Sequence, residues 1–307
     1  MTIIVFPGQG SQYVNMCKDF YENFSEVRET FDVVTESSKV DIKNIIFNNP
    51  DDLLNQTQYT QLSIFCCSIA IFNVFFRNMD LNTSNFSCML GHSLGEYTAL
   101  TAAGYLSVQE CSILLKTRGE LMQNAYEPNK SGMVAIIGLN CNSVQNIIDE
   151  NSLDLDVAND NSAMQIVISG KINNLEKAEK IFILNGAKKF VFLKVSAAFH
   201  SKLMSAAEKK MKNHIFSANF NKSTIPIISN FNAELSNDIE VLSTNLSMQM
   251  SNKVKWVDSI KFLEQKNDTN IIEIGPGRVL SGLIKRISKN FNIENIEKLS
   301  DIDRLNK

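Results

Sequence analysis

No CxxC pair occurs in this chain, and none of its six cysteines, Cys17, Cys66, Cys67, Cys88, Cys111 and Cys141, stands near a cluster of histidines. That excludes a thiolate–imidazole zinc site and a paired redox motif. What remains are isolated thiols, most of them inside apolar runs, which read as buried and reduced in a cytoplasmic protein. Net charge is nearly absent as well: 30 basic against 33 acidic side chains leave −3, neither the footprint of a nucleic-acid binder nor an acidic tail. The opening MTIIVFPGQG lacks a basic region, and its apolar run is too short for a secretory signal. The most apolar window, IFCCSIAIFNVFF over 64–76, carries Ser68 and Asn73 and falls short of the roughly 20 residues of a membrane span. It is expected to be a core helix, so neither nucleic acid nor membrane is expected as a partner. Internal repeats and low-complexity segments are missing too, and histidine is scarce, with three in the chain.

What is present is 307 residues, enough to bury a large core. TIIVF at 2–6 is a β-branched run halted by Pro7 and Gly8, the pattern of a buried parallel strand entering a loop. FSCML at 86–90 repeats the pattern, stops at Gly91, and leads into good helix formers from Leu94 to Ala103. Between Gly132 and Val195 the order changes to MVAIIGL, CNSVQNIIDEN, LDLDVA, MQIVISG, NNLEKAEKIFILNGA and KFVFLKV, which reads β-α-β-β-α-β. This is the ferredoxin-like arrangement, and it places a small inserted domain at 127–195. TIPIIS at 224–229 and TNIIEIG at 269–275, the latter followed by a helix from about Val279 to Lys289, return to strand-then-helix alternation. The core is therefore a discontinuous, mostly parallel α/β unit of residues 1–126 and 196–307.

GHSLG at 91–95 fits the G-x-S-x-G nucleophile elbow, in which a sharp strand-to-helix turn lifts a serine oxygen above a sheet. The strand before it and the helix after it supply the context the motif needs. The helix start also offers N–H groups to an oxyanion. His92 is adjacent to Ser93, but neighbouring side chains diverge on an extended-to-turn backbone, so it reads as packed or locally bonded rather than as the base. His214 lies on the lysine-rich face AEKKMKNHIF and reads as solvated. His200, in KVSAAFHSKLM where the chain leaves the insert, is the base by elimination. Asp154, Asp156 and Asp160 are formally available to orient it, although Asp154 and Asp156 alternate as outward residues would; a main-chain carbonyl serves equally well.

GQGSQ, GHSLGEY, TRGELMQ, AFHS and EIGPGRVL, in this order over essentially the whole chain, resemble the malonyl-CoA:acyl carrier protein transacylases. The resemblance implies an α/β-hydrolase-like core with a ferredoxin-like insert, Ser93 as nucleophile and His200 as base. It implies an oxyanion hole at Gln9 and the Leu94 N–H, and Arg118 as a clamp on the malonyl carboxylate. A guanidinium suits that task because its paired donors match a carboxylate; without the resemblance, Arg118 would read as a surface helix residue. The resemblance further implies that the Gln249 carbonyl orients the histidine, although Asn252-Lys253 stands where the family often has Asn-Pro, and that Asn161 lies near the acyl pocket. AFHS, with Phe199, resembles the malonyl-selective motif of free-standing polyketide-synthase acyltransferases. A phenyl ring there would crowd an α-methyl group, a discrimination of about 1–3 kcal/mol.

The expected function is malonyl transfer from malonyl-CoA to the phosphopantetheine thiol of an acyl carrier protein or polyketide-synthase carrier domain, for polyketide or fatty-acid biosynthesis. Neither a metal nor a bound cofactor is expected, and a monomer is the family expectation. The rival readings are a hydrolase clearing stalled acyl chains from carrier proteins and an inactive docking protein. Lys202, Lys209, Lys210 and Lys212 are either a basic patch for an acidic carrier protein or a solvated helix face.

Overall fold

The computed structural model describes residues 1–79, 81–266 and 268–305. The chain begins with β1 (Thr2–Phe6), then helices α1 (Lys18–Asn23), α2 (Ser25–Ser38), α3 (Ile42–Asn48) and α4 (Thr57–Asn78). β2 (Phe86–Gly91) leads through a tight turn into α5 (Leu94–Ala102), followed by α6 (Val108–Gln123). Next come β3 (Ser131–Ile137), α7 (Cys141–Glu150), β4 (Leu155–Ser162), β5 (Gln165–Lys171), α8 (Ile172–Leu184) and β6 (Lys189–Phe192). The last third holds α9 (Ser205–Ser217), β7 (Ile227–Ile228), β8 (Leu235–Ser236), α10 (Ile239–Ser247), α11 (Trp256–Gln265), β9 (Asn270–Ile274), α12 (Val279–Ile287), β10 (Asn292–Ile296) and α13 (Leu299–Leu305).

The strands form two sheets. One has the order β10-β9-β1-β2-β7-β8, parallel except for the terminal β7–β8 pair. Its central strands β1 and β2 are apolar on both faces, as a covered parallel sheet requires. Ile4, Phe6 and Met89 join one cluster with α2, α4, α5 and α6, while Ile3, Val5, Cys88 and Leu90 join another with Trp256, Ile260, Leu280 and Ile284 of α11 and α12. The other sheet is antiparallel, in the order β4-β5-β3-β6. Val134, Ile136, Ile166 and Ile168 face Val144, Ile147, Leu175 and Phe182 of α7 and α8. From the alternate positions Met133, Ala135 and Val167 join the main cluster, so this sheet leans its second face against the rest of the protein.

Three expectations about elements need correction. The apolar window at 64–76 is part of a 22-residue helix that has the length and hydropathy of a membrane span, because Thr57, Thr60, Gln61 and Ser63 extend it towards the amino end. Its side chains are mostly buried inside the protein. The strand expected over 224–229 shrinks to Ile227–Ile228; Pro226 has no N–H to give and instead accepts a bond from Met89 N–H. Asp154 precedes β4 rather than alternating within it.

Candidate active site

Ser93 sits between β2 and α5 with φ 54° and ψ −108°, a conformation that costs a non-glycine residue roughly 1–3 kcal/mol. Distant groups hold it there. Its N–H donates to Asn230 Oδ1 at 2.7 Å, and its carbonyl accepts from Gln249 Nε2 at 3.0 Å and from Glu96 N–H at 3.1 Å. The flanking glycines are steric necessities: a Cβ on Gly91 would overlap the Gly95 main chain, and one on Gly95 would overlap the Phe6 carbonyl. Only without side chains there can α5 start this close to β1 and β2.

His200 Nε2 lies 2.8 Å from Ser93 Oγ. Its Nδ1 faces two carbonyls, Gln249 O at 2.9 Å and Asn252 O at 3.2 Å, which can only accept, so Nδ1 carries the proton and Nε2 presents a lone pair to the serine. Burial, with the Arg118 charge nearby, pushes the imidazole down to about 3, which keeps it neutral. None of the three aspartates reaches it. Asp154 pairs with Lys202 at 2.5 Å, Asp156 accepts from Lys202 N–H at 3.0 Å, and Asp160 is a buried carboxyl whose pKa is raised by desolvation.

Arg118, on α6, is 1% exposed, which rules out the surface-helix alternative. Nη2 donates to Ser93 Oγ at 3.0 Å and to Gln249 Oε1 at 2.8 Å, Nη1 donates to Gln61 Oε1 at 2.5 Å, and the guanidinium lies 5.3 Å from the centre of the Tyr97 ring. All of these partners are neutral, and Nε has no partner among the described residues. A buried cation with no carboxylate bonded to it is costly. The serine hydroxyl thus donates to the base on one side and accepts from a cation on the other.

A cavity of about 130 Å3 opens beside these groups, lined by Gln9, Leu94, Asn161, Phe199 and the apolar side chains Met133 and Val167. Leu94 is the first residue of α5, so its N–H has no carbonyl one turn earlier within the helix. Gln9 Nε2 donates to Thr57 Oγ1 at 3.4 Å, and Gln9 also borders an adjoining groove of about 860 Å3. Asn161 Oδ1 faces His92 Nε2 at 2.8 Å, and the His92 ring packs 5.6 Å from Trp256, so His92 is occupied away from the serine. Phe199 is buried, and its carbonyl accepts from Ser169 Oγ at 2.6 Å. Lys202 pairs with Asp154 on the surface, and Lys202, Lys209, Lys210 and Lys212 are all exposed.

Four polar residues at the site carried no expectation: Gln61, Glu96, Asn230 and the side chain of Gln249. Glu96 lies inside the quoted GHSLGEY and so left a trace; Gln61 lies in the polar amino-terminal turns of α4, outside the apolar window at 64–76, and left none. Asn230 lies far along the chain and left none.

A family model described as an acyl transferase domain matches residues 3–304. The malonyl CoA-acyl carrier protein transacylase of Bacillus subtilis is 34% identical over 288 residues, covering 93% of this chain and 90% of the relative. The crystal structure of an acyl-carrier-protein S-malonyltransferase from Bartonella henselae superposes with a TM-score of 0.95 at 34% identity, over 99% of this chain and 98% of that one. A malonyl-transacylase solved in complex with a type II polyketide-synthase acyl carrier protein gives 0.93 at 31% identity, over 98% and 97%.

Proposed function

The chain belongs to the acyl transferase family, among the malonyl-CoA:acyl carrier protein transacylases, and from that premise we infer that it moves a malonyl group from malonyl-CoA to the thiol of an acyl carrier protein. The observation that carries the malonyl reading is Arg118: a buried guanidinium 3.0 Å from the nucleophile, bonded to neutral groups alone. A hydrolase of uncharged acyl groups has no use for such a cation, and an inactive docking protein has none for the whole constellation.

In the reaction we propose, His200 Nε2 takes the Ser93 proton while Oγ attacks the thioester carbonyl. The oxyanion faces the N–H groups at Gln9 and Leu94. Collapse expels the CoA thiolate, which recovers the proton from His200 and leaves malonyl-serine. The carrier thiol then gives its proton to His200 as its sulfur attacks the ester. Collapse of this second adduct returns the proton to Ser93 Oγ and releases the malonyl thioester. Arg118 holds the free carboxylate throughout, and the chemistry calls for neither metal nor cofactor.

The finer readings rest on the same features. The turn after β2 carrying the nucleophile supports an α/β-hydrolase-like core of residues 1–126 and 196–307, with 127–195 as a ferredoxin-like insert. Five buried cysteines and one half-buried, all free, suit a reducing cytoplasm. Phe199 against the cavity supports a free-standing, malonyl-selective enzyme of the polyketide type, which is tested by competing a polyketide-synthase carrier domain against a fatty-acid carrier protein.

Mass spectrometry after incubation with malonyl-CoA tests the central step. The wild type gains one malonyl group and Ser93→Ala none. An unmodified wild type, or an undiminished adduct on Ser93→Ala, refutes the covalent route.

A further inference from the structure

Ser93 and Glu96 stand three residues apart at the start of α5, the S-x-x-E spacing of a reciprocal helix cap. Neither caps. Ser93 makes no side-chain cap bond, its Oγ being engaged with His200 and Arg118, and the N–H that Glu96 would reach in a capping box is taken by Asn230. Glu96 is instead 1% exposed, and its Oε2 accepts from Gln249 Nε2 at 2.6 Å and from Asn230 N–H at 3.1 Å.

We propose that Glu96 is a positioning residue: it fixes Gln249, and through Gln249 sets the nucleophile, the base and the clamp in one arrangement. Gln249 touches all three. Its carbonyl orients His200, its Oε1 accepts from Arg118, and its Nε2 donates to the Ser93 carbonyl. The amide must point its NH2 away from Arg118, because a guanidinium can only donate; Glu96 supplies the acceptor that makes this orientation favourable. The same oxygen ties down the main chain of Asn230, whose side chain holds Ser93 N–H and the Gly91 carbonyl. Burial lowers the Arg118 pKa, and Glu96, with Gln249 bonded to both side chains, acts in the opposite direction. Burial pushes the carboxyl up to about 7, and the bonds from Gln249 and Asn230 act in the opposite direction. A buried acid is retained here at a cost that an unused cap would not warrant.

The inference rests on the malonyl-transfer reading, and a double-mutant cycle tests it. Malonyl-serine formation is titrated to count active sites, and the acylation rate per site is then measured with malonyl-CoA and acetyl-CoA. Glu96→Ala is expected to slow malonyl acylation about 30-fold per site and to reduce the malonyl-over-acetyl preference, while Glu96→Gln, which keeps an acceptor oxygen, slows it about threefold. Glu96→Ala/Gln249→Ala should be no more than about twofold slower than Gln249→Ala alone. Fully multiplicative single effects would overturn the proposal, as would a Glu96→Ala protein with fewer active sites but an unchanged rate per site. If Glu96→Ala does not fold, Glu96→Asp, whose carboxylate is one methylene short of Gln249, enters the same cycle with the same two readings. Failure of the wild type to take up malonyl would instead sink the functional reading itself.

Discussion

The cavity has two unlike walls. On the side of the parallel sheet and its helices Ser93 and His200 line the cavity, and Arg118, Gln249, Glu96 and Asn230 stand behind them in one buried polar network bonded at 2.6 to 3.1 Å. The wall leaning in from the antiparallel sheet and the segment that follows it is mainly apolar, with Met133, Val167, Leu193, Val195 and Phe199 beside Asn159 and Asn161 of β4. The contrast separates two tasks. Directional bonds fix the reacting atoms to within tenths of an ångström, whereas an apolar surface sets shape and keeps water off the ester. Changes to the first wall should therefore move rate, and changes to the second should move selectivity.

Removing the base should have the largest effect. His200→Ala is expected to slow serine acylation about 10²–10⁴-fold, read in single-turnover experiments. Arg118→Ala should come next, weakening malonyl transfer by about 1.5–3 kcal/mol, the worth of a hydrogen bond to a charged group. An unchanged malonyl-over-acetyl preference in that variant would remove the clamp. Phe199→Ala, on the other wall, should leave malonyl acylation within a few-fold while raising the methylmalonyl rate about tenfold, near one methyl group's worth of pocket discrimination. If it slowed malonyl acylation as much as Arg118→Ala, the division between the walls would collapse. The smallest expected effect is no effect. Protonated His200 cannot take the serine proton, and its folded pKa lies near 3, below the ordinary value of 6.5. Activity should therefore be lost only as pH falls towards 3, and acylation should stay flat from pH 8 to 5. Glu96→Gln, which removes a buried carboxyl pushed up to about 7, is the protein in which to measure this; an inflection near 6.5 would contradict it.

The polar wall was partly legible in the sequence because its chemistry is carried by local words. GHSLG implied a strained turn, and His200 stood out once His92 and His214 had been set aside. What the words did not carry was burial. Arg118 read as readily as a surface residue until the fold enclosed it. Glu96 sat in plain view with the spacing of a helix cap and does something else. Lys202 looked like a free cation, but Asp154, 48 positions earlier, holds it. Among the strands, TIIVF and FSCML announced themselves by continuous apolar character, whereas NIENI, now β10, has only two Ile among Asn and Glu, as an edge strand allows. β7 was overestimated because Pro226 interrupts a run that otherwise reads as a strand.

The bonds on the Ser93 main chain reach far along the polypeptide: Asn230 and Gln249 lie 137 and 156 residues downstream. A chain emerging from the ribosome therefore carries the GHSLG turn for a long stretch of its synthesis without the two side chains that hold it in shape. Contacts of such sequence separation form late in folding, after the loop entropy between them has been overcome. The serine accordingly becomes reactive only when the carboxy-terminal third has docked. A ribosome-stalled chain ending before Asn230 should carry the motif and form no acyl ester.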